Sequence, residues 1–127
     1  MSHWAFHYIG TPWVSGSHDC WGFFRRVQLE QFGRVVPAFD VESYSSMATA
    51  RAVAMNPERG NWLPVEKPQE GDAVLLAHAH HPSHVGVWVD VDGGGVMHCL
   101  RSDGVVFQRI RALKASGWGH LEYYRHV

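Results

Sequence analysis

The feature that most limits the possible folds is a pair of apolar segments joined by a short glycine-rich turn. Residues 85–91 alternate with a period of two, and residues 96–100 are again largely apolar. The residues between them, 92–95, read Asp-Gly-Gly-Gly, which is a strong turn signal. The pattern predicts an antiparallel β-hairpin, and the register of that hairpin decides which side chains share a face.

One register brings two histidines together. If Val89 lies opposite Gly95, His98 faces Gly86 and His84 is its diagonal neighbour, with backbones about 7–8 Å apart. Both imidazoles then lie on one face, and the valines at odd-numbered positions lie on the other. We predict this register. Gly86 has no side chain, so we expect it to leave room for the start of a helix beside the histidines.

The rest of the chain places helices before strands. Residues 20–32 carry apolar side chains on one helical face, with Asp19 as N-cap and Gly33 as the residue that ends the helix. The other predicted segments are a short helix or arm at 1–9, a loop at 10–17, a helix at 43–57, and strands at 72–77, 105–110 and 117–125. This order predicts an α+β fold in a single domain of residues 1–127.

Composition narrows the classes of partner. Hydrophobic residues make up 46% of the 127 residues, and the formal net charge is −1, so no basic field indicates a nucleic-acid partner. The ten histidines gain charge below about pH 6, where we expect solubility and ligand affinity to change. We find no signal peptide and no membrane-spanning segment, and therefore expect cytoplasmic synthesis and no membrane partner.

Cys20 lies where the loop meets the first long helix, with His84 and His98 far downstream. A cysteine, a histidine and a second polar residue are the components of a thiol hydrolase. We predict Cys20 as the nucleophile, His84 as general base and acid, and His98 as the residue that orients His84. The backbone N–H of Cys20 would help to stabilise the oxyanion. We expect a thiolate–imidazolium pair, which brings a cysteine pKa to roughly 3.5–7.5.

The other thiol and imidazoles have simpler interpretations. Cys99 shares a hairpin face with Met97 and the valines, which indicates a core thiol, and a reducing cytoplasm disfavours a disulfide with Cys20. Residues 78–84 contain four histidines, a density that can bind zinc, copper or nickel. The carboxylates and further histidines of a metallohydrolase are not evident, so we expect a loop beside the site, no metal ion and no cofactor.

In this order the motifs resemble those of the NlpC-like cell-wall cysteine peptidases. The shared pieces are Gly10-Thr11-Pro12-Trp13, Asp19-Cys20, Gly71-Asp72, His84-Val85-Gly86, His98 and Tyr123-Tyr124-Arg125. The resemblance implies a papain-like α+β fold, with the nucleophile helix packed on an antiparallel sheet. It also implies hydrolysis of peptide stems in bacterial peptidoglycan, commonly at the bond between γ-D-glutamate and a diamino acid.

A subgroup of phage and prophage tail proteins is similar in two further motifs. These are the helix start Asp19-Cys20-Trp21-Gly22 and a Gly-x-x-x-Pro turn, here residues 33–37. The resemblance implies incorporation into a phage tail, with tail proteins as partners. The resemblance to the whole NlpC-like family implies that Trp13, Asp19 and Trp21 shape the oxyanion and substrate site, although many members of the family have tyrosine in place of Trp13 and serine in place of Trp21.

Two other functions stay open. One is a non-catalytic tail assembly protein on the same fold, and the other is a related thiol amidase or acyltransferase with different substrates. The fold cannot separate them. A complete set of Cys20, His84 and His98 disfavours the assembly protein, since no structural role requires all three. Cationic groups for stem carboxylates would favour the peptidase, and the candidates are Arg25, Arg26, Arg51 and Arg101.

Overall fold

A six-stranded antiparallel sheet organises the described part of the chain, residues 3–38, 62–79 and 82–127 of a computed structural model. The strands are β1 (Trp62–Val65), β2 (Ala73–Ala77), β3 (His84–Val89), β4 (Gly95–Leu100), β5 (Gly104–Gln108) and β6 (His120–His126). Their order in the sheet is β1-β6-β2-β3-β4-β5, and each neighbouring pair is antiparallel. Together with the helix packed on this sheet, the architecture confirms the predicted α+β class.

The first long helix, α1 (Cys20–Phe32), has the predicted ends. The Asp19 carboxylate accepts a hydrogen bond from the Gly22 N–H at 2.8 Å, and Gly33 closes the helix with a left-handed φ of 66°. A 3₁₀ helix spans Trp4–His7, within the segment predicted as a short helix or arm. The helix predicted at 43–57 lies outside the described residues. No described helix has the length and apolar character needed to cross a membrane.

The β3–β4 hairpin has the predicted register, with Gly86 opposite His98 and Val89 opposite Gly95. Its turn uses left-handed backbone, with φ of 50° at Asp92 and 87° at the following glycine. The prediction is therefore confirmed at the level of individual residue pairs. The hairpin is well specified because a one-residue slip would move every side chain to the opposite face.

Two elements were not predicted, and the strand predicted at 105–110 is too long. β5 ends at Gln108, and a six-residue helix, α2 (Ile110–Ala115), follows it directly. A helix this short shows too few turns for its period to be read from the sequence. β1 is a four-residue strand at the sheet edge that contains Pro64, a residue that usually argues against a strand.

The two faces of the sheet are covered differently. The valines of β3 pack in one cluster with the apolar side chains of α1, including Phe23, Phe24 and Val27. The other face carries Val74, Leu76, Trp88 and Val96, which pack with Leu113 of α2. Because side chains alternate along a strand, His84 and His98 lie on this second face, away from α1.

The expectation that Gly86 leaves room for the helix is therefore wrong. A Cβ added at Gly86 would lie 2.5 Å from Val96 Cγ1 and 3.0 Å from His98 Cβ, both on β4. The missing side chain permits close contact within the hairpin itself, beside the two histidines.

Two of the motif pieces hold the strands together. The Arg125 guanidinium of β6 donates to both carboxylate oxygens of Asp72, which precedes β2, with a shortest distance of 2.9 Å. The Gly71 carbonyl accepts from the Gln28 amide of α1 at 3.0 Å. These contacts tie the residues just before β2 to α1 and to β6, so these pieces have a structural role.

Gly86→Ala should destabilise the protein by about 1–3 kcal/mol, because the new methyl group overlaps β4 atoms that cannot move independently. Urea unfolding of the variant and the unmodified protein measures the difference. An unchanged or raised midpoint would show that β4 accommodates the methyl group, and that Gly86 does not set the spacing of the hairpin.

Candidate active site

A small cleft opens at the end of the sheet where β3 begins and β4 ends. Its volume is about 190 Å³, and it is lined by Trp13, Asp19, Cys20, His84, Cys99, Leu100 and Arg101. Cys20 is the first residue of α1, which packs on the face of the sheet that carries the β3 valines. His84 is the first residue of β3, and its side chain lies on the opposite face. The two side chains therefore meet around the strand end.

Cys20 is buried at the wall of this cleft, with a relative exposure of 6% for the residue. Burial raises the pKa of Cys20 to about 12, and the nearby Asp19 carboxylate also raises it. Backbone hydrogen bonds from Val85 and Trp21 act in the opposite direction and are outweighed. A helix N-terminus by itself lowers a cysteine pKa, but desolvation outweighs that effect at Cys20.

His84 and His98 form a buried imidazole pair. His84 Nε2 lies 2.7 Å from His98 Nδ1, and the two rings are roughly perpendicular, at 72°. Burial is the main cause that holds the pKa of His84 well below its usual range, and the neighbouring His98 and His78 lower this pKa further. Burial also lowers the pKa of His98, although its hydrogen bond with Gln108 opposes this.

In the resting site, burial therefore shifts the pKa of the thiol and of both imidazoles toward their neutral forms. The expected thiolate–imidazolium pair is wrong for this state, because neither charge is stabilised enough to offset its desolvation. The predicted neighbourhood of His84 and His98 is confirmed. His98 lies behind His84 and does not line the cleft, a position suited to orienting the imidazole of His84.

Trp118 is a site residue that the sequence analysis missed. Its ring stacks on His84 at 5.1 Å between centroids and 15° between planes, and on His78 at 4.1 Å and 12°. His78 Nδ1 donates to the Gly117 carbonyl at 3.0 Å, which fixes the outer ring of this stack. Trp118 stands between two glycines at the start of the strand predicted at 117–125. The observed strand begins only at His120, and no motif marked Trp118, so only its size could have drawn attention to it.

The predicted loop beside the site includes His80 and His81, which lie outside the described residues. Among the residues with described positions, no group of three or more histidine, cysteine, aspartate or glutamate side chains is arranged to hold a metal ion. His78 and His84 are instead separated by the ring of Trp118.

Trp13 and Arg101 form the mouth of the cleft. The Arg101 guanidinium lies 4.7 Å from the centre of the Trp13 ring, a cation–π contact. Arg101 is exposed and Trp13 is half-buried, so this pair presents a positive charge at the entrance. Trp13 was predicted to shape the oxyanion and substrate site, and its position at the mouth of the cleft suits contact with a substrate.

The other two predicted binding residues behave differently from each other. Asp19 lines the cleft while its carboxylate caps α1, so it occupies both predicted positions. Trp21 does not reach the cleft: it is 1% exposed, and its indole N–H donates to the Pro37 carbonyl at 2.6 Å. Its assignment as a binding residue is wrong because the helix turns its side chain into the core.

Cys99 is a buried free thiol, as predicted, and Cys20 is also free. The Cys99 Sγ donates to the His18 carbonyl at 3.4 Å. Cys99 nevertheless contributes to the cleft wall. Cys99 reaches the cleft from the core face of the sheet because the cleft wraps around the strand end.

Comparisons with known proteins agree with this fold. The model of the NlpC/P60 family matches residues 5–122. The chain is similar in structure to the NlpC/p60 domain of the peptidoglycan hydrolase SagA, with a TM-score of 0.60. The two are 22% identical, over 97% of this chain and 92% of that chain, which is a likeness of fold. No curated protein matches the chain.

Stability should fall as the pH drops below about 6.5, because the unfolded chain binds protons that the folded imidazole pair does not. The folded pKa values of His84 and His98 are lowered, so their contribution is complete above the unfolded pKa and is lost below it. Each group can remove up to about 1.4 kcal/mol per pH unit.

Urea unfolding between pH 7.5 and 5 measures this slope, and His98→Asn should make it shallower. An equal slope in the protein and the variant would contradict the assignment to this pair.

Proposed function

The chain belongs to the NlpC/P60 family, and we propose that it is a cysteine peptidase that hydrolyses the peptide stems of bacterial peptidoglycan. The observation that carries the proposal is one cleft that holds Cys20 and His84, with His98 hydrogen-bonded behind His84 at 2.7 Å. The similar solved domain comes from a peptidoglycan hydrolase, which supports the same substrate class.

The proposed reaction starts from neutral groups. Cys20 Sγ attacks the amide carbonyl while its proton passes to His84, so the thiolate forms only as the C–S bond does. The backbone N–H of Cys20, at the start of α1, stabilises the oxyanion. His84 then protonates the leaving amine. A water molecule, deprotonated by His84, hydrolyses the thioester and regenerates the thiol.

The cleft mouth supports an anionic substrate. Peptidoglycan stems carry free carboxylates beside the amide bonds of their γ-linked glutamate and diamino acid. Among the described residues that line the cleft, Arg101, held against Trp13, is the cation that could pair with such a carboxylate, whereas the candidate Arg51 lies outside the described residues. We propose cleavage between γ-D-glutamate and the diamino acid, with this pair binding the stem.

We further propose that the protein is synthesised in the cytoplasm and acts in a phage tail, with tail proteins as partners. The support is the resemblance of its helix start and its Gly-x-x-x-Pro turn to phage and prophage tail relatives. These two motifs contact each other here, since Trp21 donates to the Pro37 carbonyl. Co-purification of the protein with intact phage particles would test this assignment.

Cys20→Ala should abolish release of stem fragments from purified peptidoglycan, followed by mass spectrometry, without loss of folding. The matched control is Cys99→Ala. The Cys99 thiol donates to the His18 backbone carbonyl and has no part in the proposed reaction, so this variant should retain most activity. Equal cleavage by Cys20→Ala would refute the proposed nucleophile. An inactive but folded unmodified protein would favour the assembly protein, and cleavage of other amides alone would favour the amidase.

Arg101→Ala should raise KM for stem peptides about tenfold, the effect of losing roughly 1.4 kcal/mol from one charge-assisted contact. The turnover number should change little, because Arg101 lies at the mouth of the cleft. Arg111→Ala, an exposed arginine on α2, is the matched control. Amidation of the stem carboxylate should remove the difference between Arg101→Ala and the unmodified protein, and a persistent difference would argue against carboxylate pairing.

A further inference from the structure

A chain of hydrogen bonds continues behind His98 to the end of α2. His98 Nε2 lies 2.8 Å from Gln108 Oε1, and the Gln108 amide donates to Ser116 Oγ at 3.2 Å. The Ser116 hydroxyl donates in turn to the Ala112 carbonyl at 2.9 Å. With the His84–His98 contact, the chain therefore runs from the cleft through side chains of three strands, β3, β4 and β5, to a backbone carbonyl.

The backbone carbonyl sets the direction of every bond. The Ala112 carbonyl can only accept, so it takes the hydroxyl proton of Ser116. Ser116 Oγ is then an acceptor, and the NH₂ group of Gln108 turns to it. This leaves Gln108 Oε1 facing His98, where an oxygen can only accept.

The same logic assigns both imidazole protons. Since Gln108 Oε1 accepts, His98 must carry its proton on Nε2, and the Nδ1 of this neutral ring is an acceptor. His84 therefore donates from Nε2 to His98 Nδ1. The remaining nitrogen of neutral His84, Nδ1, then bears a lone pair, and His84 lines the cleft with Cys20.

We propose that Gln108, held by Ser116, is a positioning residue that fixes the tautomers of His98 and His84 and leaves His84 Nδ1 able to accept the proton of Cys20. The proposal rests on the proposed function, because it explains how the base of that reaction is kept in its active form. It assigns a role to a side chain outside the cleft and to the end of α2.

The opposite orientation of one amide would disable the base. If Gln108 presented its NH₂ group, His98 Nε2 would accept and His98 Nδ1 would donate to His84 Nε2. His84 Nδ1 would then carry the proton and could not take another from the thiol. A neutral resting site depends on this control, because each ring has only one proton to place.

Strand pairing explains why Gln108 is available. His98 lies opposite Val106 in the β4–β5 ladder, so Gln108, two residues further along β5, is its diagonal neighbour on the same face. Ser116 is the C-cap of α2, and its hydroxyl bonds one turn back along that helix. The short helix thus places one hydroxyl against the amide.

The test uses Gln108→Leu, Gln108→Glu and Ser116→Ala, with Gln31→Leu on the far end of α1 as the matched control. ¹⁵N NMR of the histidine ring nitrogens at pH 7.5 reports each tautomer without any substrate. We expect protons on Nε2 of His84 and His98 in the unmodified protein and in Gln31→Leu. Gln108→Leu should populate the Nδ1–H form of His84, and Ser116→Ala should do so to a smaller extent.

Kinetics provide the second measurement. Gln108→Leu should lower the turnover number about 10- to 100-fold, as loss of a group that orients a histidine does elsewhere, with KM unchanged. Gln108→Glu keeps an acceptor oxygen, so the tautomers should persist, and its negative charge should move the acid limb of the pH–rate profile to higher pH. Among the described residues, the other titratable groups around the pair are Cys20, Asp19, Cys99, Arg101 and His78, and all three variants leave them in place.

Protons on Nδ1 of both imidazoles in the unmodified protein would overturn the proposal, as would an unaltered tautomer and turnover number in Gln108→Leu. If stem peptides are cleaved and the Gln108 variants behave like Gln31→Leu, the tautomer control by Gln108 is wrong and the proposed peptidase activity stands. If the tautomers respond as expected while no stem peptide is cleaved, the tautomer control by Gln108 stands and the proposed function is wrong.

Discussion

The pairing of Gly86 with His98 is the constraint on which the rest of the site depends. It places two imidazoles within hydrogen-bond distance on one face of the sheet and sends the valines of β3 to the face that α1 covers. Any larger residue at position 86 would force β4 atoms to move, because an added Cβ would overlap Val96 and touch His98. A slip of one residue would exchange the two faces, so the core and the site are specified by the same register.

Burial decides how the thiol and the imidazoles share their protons. A helix N-terminus stabilises a thiolate, but its partial charge is small compared with the cost of removing a full charge from water. Cys20 and His84 are both buried, and the pKa of each is shifted toward the neutral form. A site of this kind requires a base whose lone pair faces the thiol before substrate arrives, which gives tautomer control its importance.

The sequence was sufficient where the signals were local or periodic. The turn at residues 92–95 and the alternation beside it fixed the hairpin to the residue, and Asp19 and Gly33 fixed the ends of α1. It was insufficient where a contact joins distant segments without a pattern, as for Trp118 on His84 and Gln108 on His98. Trp21 was misassigned because a motif position was taken as a binding position, although adjacent residues on a helix point about 100° apart.

Motif residues therefore differ in what they indicate. Cys20, His84 and Trp13 face the cleft, whereas Asp72 and Arg125 tie strands together and say nothing about chemistry. Trp21 donates a hydrogen bond to the Pro37 carbonyl, so the two motifs on which the resemblance to tail proteins rests form one structural unit and count as one observation. The substrate must then be inferred from groups that face the cleft. Among these, Arg101 on Trp13 combines a fixed charge with access to solvent, which makes it the feature most informative about what enters.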